Sequence, residues 1–262
     1  MNRHLPYTEI NVSRLGFGTA SMHHIFSSKA RQELLNTAFD LGITHFDTSP
    51  YYGYGFTEKV LGDFARYNRD SITITTKIGL YPYGKHDHNV YKIVFRKAIG
   101  KISSRYSLPR VSFSLNDAER SLANSLRGLR TDYIDFLLLH EPIYDIINLD
   151  EMSFWLNENC RKGNIRSYGI AGKTENIEPF LQTDLVKVVQ TNDSIELREA
   201  DILIKLDREL QFTYGYFSGN ALISNSMGWI DLVNEAFKRN KNGCVLFSTR
   251  KIDRLRNFKN IL

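Results

Sequence analysis

Short apolar runs rich in β-branched residues alternate along most of the chain with longer stretches whose apolar residues recur at helical spacing. Arg14 to Ala20 predicts a first strand. Leu34, Leu35, Ala38 and Phe39 then mark a helix that Ser27 or Ser28 can cap and Gly42 closes. Ile43 to Phe46 predicts the next strand, and Val60, Leu61 and Phe64 give the apolar face of a helix over Phe56 to Tyr67. A third strand runs from Ser71 to Lys77. The alternation lapses from Gly79 to Arg110 and resumes at Ser114, which caps a helix carrying Leu115, Leu122, Leu126 and Leu129. Asp132 to His140 is a strand and Glu151 to Lys162 a helix. Three further pairs follow: Ile165 to Ala171 with Glu175 to Leu181, Leu185 to Thr191 with Arg198 to Leu206, and Leu210 to Gly215 with Met227 to Arg239. Cys244 to Ser248 and Ile252 to Asn260 make the last. Eight strand-helix pairs with right-handed crossovers specify an α/β fold of the (β/α)8 TIM-barrel type. A doubly wound open sheet is the competitor, but no Gly-x-Gly-x-x-Gly follows any predicted strand.

Composition agrees with one such barrel. The chain has 262 residues and is 42% hydrophobic, and a barrel of this type needs about 250 residues. Residues 1–262 are therefore expected to form a single domain with a long excursion at 79–110. No apolar run approaches the ~20 residues of a membrane span, and the N-terminal residues lack a signal-peptide core, so a cytoplasmic protein with no membrane contact is expected. Cys160 and Cys244 give neither a metal-ligand spacing nor a disulfide framework, and are read as free thiols. The net charge of +5 is modest and the bases form no short tract, which argues against a nucleic-acid partner. His86 and His88 have a metal-like spacing but no further ligand beside them, so no metal is expected.

The chemistry begins where strands end. Asp47, Lys77 and His140 each close a strand-like run, and parallel strands of one barrel deliver those ends to a common face. Tyr52 lies on the Pro- and Gly-punctuated turn just after Asp47. Reducing a carbonyl places negative charge on oxygen, so such a site needs a proton donor. A free tyrosine titrates near ~10, and one ammonium about 4 Å away supplies roughly 4 kcal/mol toward ionising it at an effective dielectric near 20. Lys77 is expected to act in this way on Tyr52, with Asp47 holding the ammonium charged.

An Asp, a Tyr directly before Gly53, a Lys and a His at these places resemble the catalytic tetrad of the aldo-keto reductases. The resemblance rests on Asp-Thr-Ser-Pro-Tyr-Tyr-Gly from Asp47, Thr-Thr-Lys ending at Lys77 and Leu-Leu-His-Glu-Pro around His140, and it extends from Leu15 to the C-terminus. It implies that Tyr52 donates the proton, that Lys77 and Asp47 support it, and that His140 orients the substrate oxygen.

A hydride donor is then required, and in a barrel its phosphates should sit by the last loops. Phe247 to Asn257 fits that place. Ser248 and Thr249 can cap or contact phosphate, while Arg250 and Arg254 offer forks for the extra phosphate of NADP(H). The resemblance places Asn257 near the adenine, Gln190 on the nicotinamide amide and Tyr214 against its ring. One departure is visible: where relatives carry Ser-Asn, this chain has Ala171-Gly172, without side-chain donors. The expected activity is NADP(H)-dependent interconversion of a small carbonyl compound, aldehyde, ketone or sugar-like, with an alcohol. The alternative is a cofactor-loaded regulatory or partner subunit.

The excursion at 79–110 holds Lys85, Lys92, Arg96, Lys97, Lys101, Arg105 and Arg110 against Asp87 alone. It leaves directly after Lys77, so it is expected to cover part of the pocket, with Tyr81 and Tyr83 as walls, and to steer anionic substrates inward.

Overall fold

The computed structural model describes residues 2–82, 109–217, 228–259 and 261. β1 (Asn2–His4) and β2 (Asn11–Ser13) form an antiparallel hairpin. A closed parallel barrel follows, made of β3 (Leu15–Gly18), β4 (His45–Asp47), β5 (Thr73–Ile78), β8 (Ile134–His140), β9 (Ile165–Gly172), β10 (Val188–Asn192), β11 (Phe212–Tyr214) and β12 (Cys244–Phe247). β12 pairs back with β3 and closes the ring. Between β5 and β8 lie two short antiparallel strands, β6 (Leu80–Tyr81) and β7 (Arg110–Val111). They tie together the two feet of the excursion. The rest of it, including Tyr83, Lys85, His86, His88 and Lys92, lies outside the described residues.

Outside the ring pack α1 (Ser28–Asp40), α2 (Phe56–Asn68), α3 (Leu115–Leu129), α4 (Leu149–Arg161), α5 (Thr174–Ile177), α6 (Asp201–Lys205), α7 (Trp229–Arg239) and α8 (Ile252–Arg256). Ser27 caps α1 by accepting from Ala30 N–H, and Ser114 caps α3 by accepting from Asp117 N–H. The predicted segment Glu175 to Leu181 is instead one α turn followed by a 3-10 turn. Pro179 lies at its break and has no N–H with which to continue the ladder. Among the described residues no helix is long and apolar enough to cross a membrane.

Strand alternation sorts the side chains into two sets. Phe17, Phe46, Ile74, Leu137, Leu139 and Ile170 face the helices and belong to the larger buried cluster. Phe136, Leu138, Val188, Phe212, Cys244 and Leu246 belong to a smaller cluster inside the ring, which Leu5, Ile10 and Val12 of the hairpin join. The hairpin therefore seals the end of the barrel where strands begin. Each fully buried Leu, Ile or Phe contributes roughly 1.5–3 kcal/mol, so the interior is packed core rather than channel.

The same alternation decides what stands at the other end. In β4 the inward parity carries His45 then Asp47, in β5 Thr73, Thr75 then Lys77, and in β8 Phe136, Leu138 then His140. Gln190 follows Val188 and Tyr214 follows Phe212 on the same face. The last inward layer is polar, and it is the layer next to the mouth.

Candidate active site

Asp47, Tyr52, Lys77 and His140 converge on one cavity of about 420 Å³, whose lining also includes Glu141, Gln190, Tyr214, Phe217 and Phe247. Asp47 and Lys77 are almost wholly buried. The Lys77 ammonium donates to Asp47 Oδ1 at 2.5 Å and to the Thr48 carbonyl at 2.9 Å, and it lies 3.4 Å from the Tyr52 hydroxyl. Burial pushes the Asp47 carboxyl up and the Lys77 ammonium down, and their mutual attraction opposes both shifts.

Tyr52 is held by an irregular turn. Ser49 starts it, with its carbonyl accepting from Tyr52 N–H and its hydroxyl accepting from Tyr51 N–H. Gly53, Tyr54 and Gly55 then take φ of 57°, 59° and 81°, three left-handed residues in succession. Glycine adopts that conformation without cost, whereas Tyr54 has a Cβ to accommodate. At Gly53 a Cβ would in addition sit 2.7 Å from His23 Cβ. Thr57 at the start of α2 fixes the turn from the far side, its hydroxyl donating to the Tyr52 carbonyl at 3.0 Å.

The electrostatics correct one expectation. Tyr52 is shifted up rather than toward neutrality, first by burial and then by the charges of Asp47 and Glu141. Burial outweighs the ammonium, which itself sits 2.5 Å from a carboxylate, so the phenol faces a dipole rather than a free cation. Tyr52 therefore stays protonated at neutral pH. That is the form that donates a proton.

His140 is also held uncharged, by burial and by the nearby Lys77. Its Nδ1 lies 3.3 Å from the Ser49 hydroxyl, which already accepts from Tyr51. When the Ser49 hydroxyl donates to Nδ1, the ring proton stands on Nε2, and that is the tautomer able to donate to a substrate oxygen. The rings of His140 and Tyr52 meet edge to face at 5.9 Å.

Whether this cavity fits a nicotinamide is tested by Gln190. It is 4% exposed, lines the cavity, and its Oε1 is buried without a hydrogen-bond partner. An orphaned acceptor of this kind suits an amide N–H, and Tyr214 stands on the neighbouring strand as an aromatic wall. Ser248 also lines the cavity, its hydroxyl 3.1 Å from that of Ser21. Thr249 is buried and accepts from Lys251 N–H at 3.1 Å. Arg250, Arg254 and Asn257 are exposed on the segment beyond β12, outside the cavity lining. Gln190 and Tyr214 therefore fit a nicotinamide.

Two readings move. Tyr81 is no wall of the described cavity; it is buried in β6 beneath the Arg110 guanidinium, 5.1 Å from its ring centre. Glu141, which the sequence offers only as part of Leu-Leu-His-Glu-Pro, is a lining residue with φ of 47°. The signal for it was its place directly after a strand-ending histidine. Asp47 and Lys77 offset each other, so the described lining carries the net negative charge of Glu141 and does not itself favour anions.

The sequence pattern of the Aldo/keto reductase family matches residues 14–192. L-galactose dehydrogenase of Arabidopsis thaliana is 29% identical over 178 residues, which are 65% of this chain and 48% of that protein. The chain spans about half the length of the curated relatives it matches. Among solved structures, a putative aldo-keto reductase of Pseudomonas aeruginosa superposes with a TM-score of 0.74 at 23% identity, covering 98% of this chain and 92% of that one. An aldo-keto reductase of Klebsiella pneumoniae in complex with NADPH gives 0.68 at 19% identity, covering 99% and 89%. At these identities the structural likeness speaks for the fold.

Proposed function

Because this chain belongs to the Aldo/keto reductase family, we propose that it is an NADP(H)-dependent oxidoreductase that interconverts an aldehyde, ketone or aldose with the corresponding alcohol. The observation that carries this reading is the Tyr52 hydroxyl at 3.4 Å from an ammonium that is itself held by Asp47, at the floor of an open cavity. A nicotinamide, when bound, supplies the hydride.

The chain supplies the rest. Tyr52 gives its proton to the carbonyl oxygen, and Lys77 stabilises the phenolate that this leaves behind. Asp47 keeps Lys77 charged and in place. His140, with its proton on Nε2, donates a second hydrogen bond to the same oxygen and fixes its position. Gln190 Oε1 would accept from the carboxamide, and Tyr214 would wall the ring. Ser248, Thr249, Arg250, Arg254 and Asn257 form the surface that takes the phosphates and adenosine.

The name of the Arabidopsis relative, a galactose dehydrogenase, supports a sugar-like substrate. The NADPH complex of the Klebsiella protein supports the phosphorylated cofactor. The test is to mix the protein with NADPH and a panel of aldehydes, ketones and aldoses, and to follow the absorbance of reduced nicotinamide. Turnover of any member is the expected result. Tight NADPH binding with no turnover across the panel would instead favour a cofactor-loaded partner subunit, a reading that the intact set Asp47, Tyr52, Lys77 and His140 argues against and that Ala171 and Gly172 leave open.

A further inference from the structure

Glu141 follows His140 at the end of β8, and its own N–H donates to the carbonyl of Ala171 on β9. Its side chain is fixed rather than loose. Oε2 accepts from Lys173 N–H at 3.1 Å and from Asn176 Nδ2 at 2.7 Å. Room for that carboxylate exists because residue 172 is glycine: a Cβ there would stand 2.7 Å from Glu141 Oε2. Gly172, one of the two residues that lack side-chain donors, thus admits a carboxylate to the cavity wall. The field of Glu141 reaches both aromatic walls, for it helps raise the phenols of Tyr52 and Tyr214. Asp47 is already matched by Lys77 at 2.5 Å. Glu141 is therefore the uncompensated charge of the described lining.

We infer that Glu141 is a positioning residue for charge: it stabilises the cationic, oxidised nicotinamide relative to the neutral, reduced one, and so makes the bound reduced cofactor a stronger hydride donor. This rests on the reading that a nicotinamide occupies the cavity. Hydride donation would move one hydrogen nucleus with two electrons to the carbonyl carbon, the carbonyl oxygen would take the proton of Tyr52, and one positive charge would be left on the ring. A fixed carboxylate in the lining of the cavity that would hold the ring favours that charge. The effect points the same way as a protonated Tyr52, toward reduction of the carbonyl.

The experiment is a pair of fluorescence titrations, NADP+ and NADPH, repeated with NAD+ and NADH. Each pair differs only at the ring, so the ratio of its two dissociation constants cancels the contribution of the phosphates. In Glu141→Gln the oxidised form should weaken relative to the reduced form by roughly tenfold, the size expected of one charge acting over several ångströms near water. Gln retains an oxygen to accept from Lys173 and Asn176, and Glu141→Asp should restore most of the ratio. In the wild-type protein alone, raising the salt should shift the ratio in the direction of Glu141→Gln, because a ring-carboxylate attraction is screened. Equal weakening of both forms, or an unchanged ratio in the variant and with salt, overturns the inference and leaves the proposed function standing. Failure of the wild type to bind either pair overturns both.

Discussion

Asp47 and Asp135 are both buried carboxylates held by cations, one at each end of the same barrel. Near the start of β8, Asp135 is fully buried and accepts from Arg69 at 2.7 Å, from Arg166 at 2.7 Å and from Ile74 N–H at 2.9 Å. Both of its oxygens are engaged, and it does not line the cavity at the mouth. At the mouth, Asp47 has one strong partner, Lys77, and that ammonium has a third neighbour, Tyr52, facing open space. The first cluster closes on itself and staples strands. The second is left incomplete on one side, and the incomplete side is where a substrate oxygen can enter.

The largest expected effects test this contrast directly. Asp135→Asn and Lys77→Met each break a buried ion pair, at a cost of about 3–5 kcal/mol. In denaturant titrations both should lose stability, yet only Lys77→Met should lose turnover in the protein that remains folded. Adding Asp47→Leu to Lys77→Met should recover most of the stability and none of the activity. If Asp135→Asn lowers kcat as far as Lys77→Met does, the two ends are not distinct in kind.

A smaller effect separates two buried titratable groups between the ends. His45 stacks on Phe212 inside the ring, with its nitrogens 2.9 Å and 3.3 Å from the hydroxyls of Thr73 and Thr75. Burial, and then Lys77, lowers it to about 3. Between there and the ordinary histidine value of ~6.5 the unfolded chain binds a proton that the folded chain refuses, so this contribution is lost as pH falls, by about 1.4 kcal/mol per pH unit. Glu58 has the opposite sign. It is raised to about 7, first by burial, against a hydrogen bond from Thr76. The folded chain holds its proton where the unfolded chain has lost it, so this contribution is present below the ordinary glutamate value and lost as pH rises through about 7. Denaturant midpoints from pH 7 to pH 5 should therefore fall less steeply for His45→Leu than for wild type, and more steeply for Glu58→Gln. Parallel curves for all three proteins would contradict the assignment.

Much of this was legible in the sequence because two periodicities carried it. Period two put Asp47, Lys77 and His140 on one face once their strands were placed, and eight strand-helix units specified the ring. The hairpin Asn2–Ser13 was not legible, since three-residue strands leave too short a pattern to read. The Asp135 cluster was signalled by a carboxylate inside Ile134-Asp-Phe136, but its partners Arg69 and Arg166 are far along the chain and no local pattern names them. The raised Tyr52 was missed for a different reason. The sequence shows that a lysine is near, whereas the burial of the phenol and the ångström-scale distance from Lys77 to Asp47 belong to the folded structure.

The smallest expected effect concerns the cofactor's far end. Arg250 and Arg254 are exposed beyond β12, and among the described residues neither has a carboxylate partner. If Arg254 holds the ribose phosphate, Arg254→Gln should weaken NADPH by about tenfold while leaving NADH unchanged, as one charge-assisted hydrogen bond of ~1.5–3 kcal/mol requires. Equal losses for both cofactors would move the phosphate contact elsewhere.

In the function proposed above, the open side of the mouth cluster presents a protonated Tyr52 to a carbonyl oxygen. The most direct test of this is the turnover of Tyr52→Phe with NADPH and whichever panel aldehyde the wild type reduces fastest. Loss of the general acid predicts a fall in kcat of roughly 10²–10⁴-fold, with the NADPH dissociation constant changed only a few-fold. Near wild-type turnover in Tyr52→Phe would contradict the account.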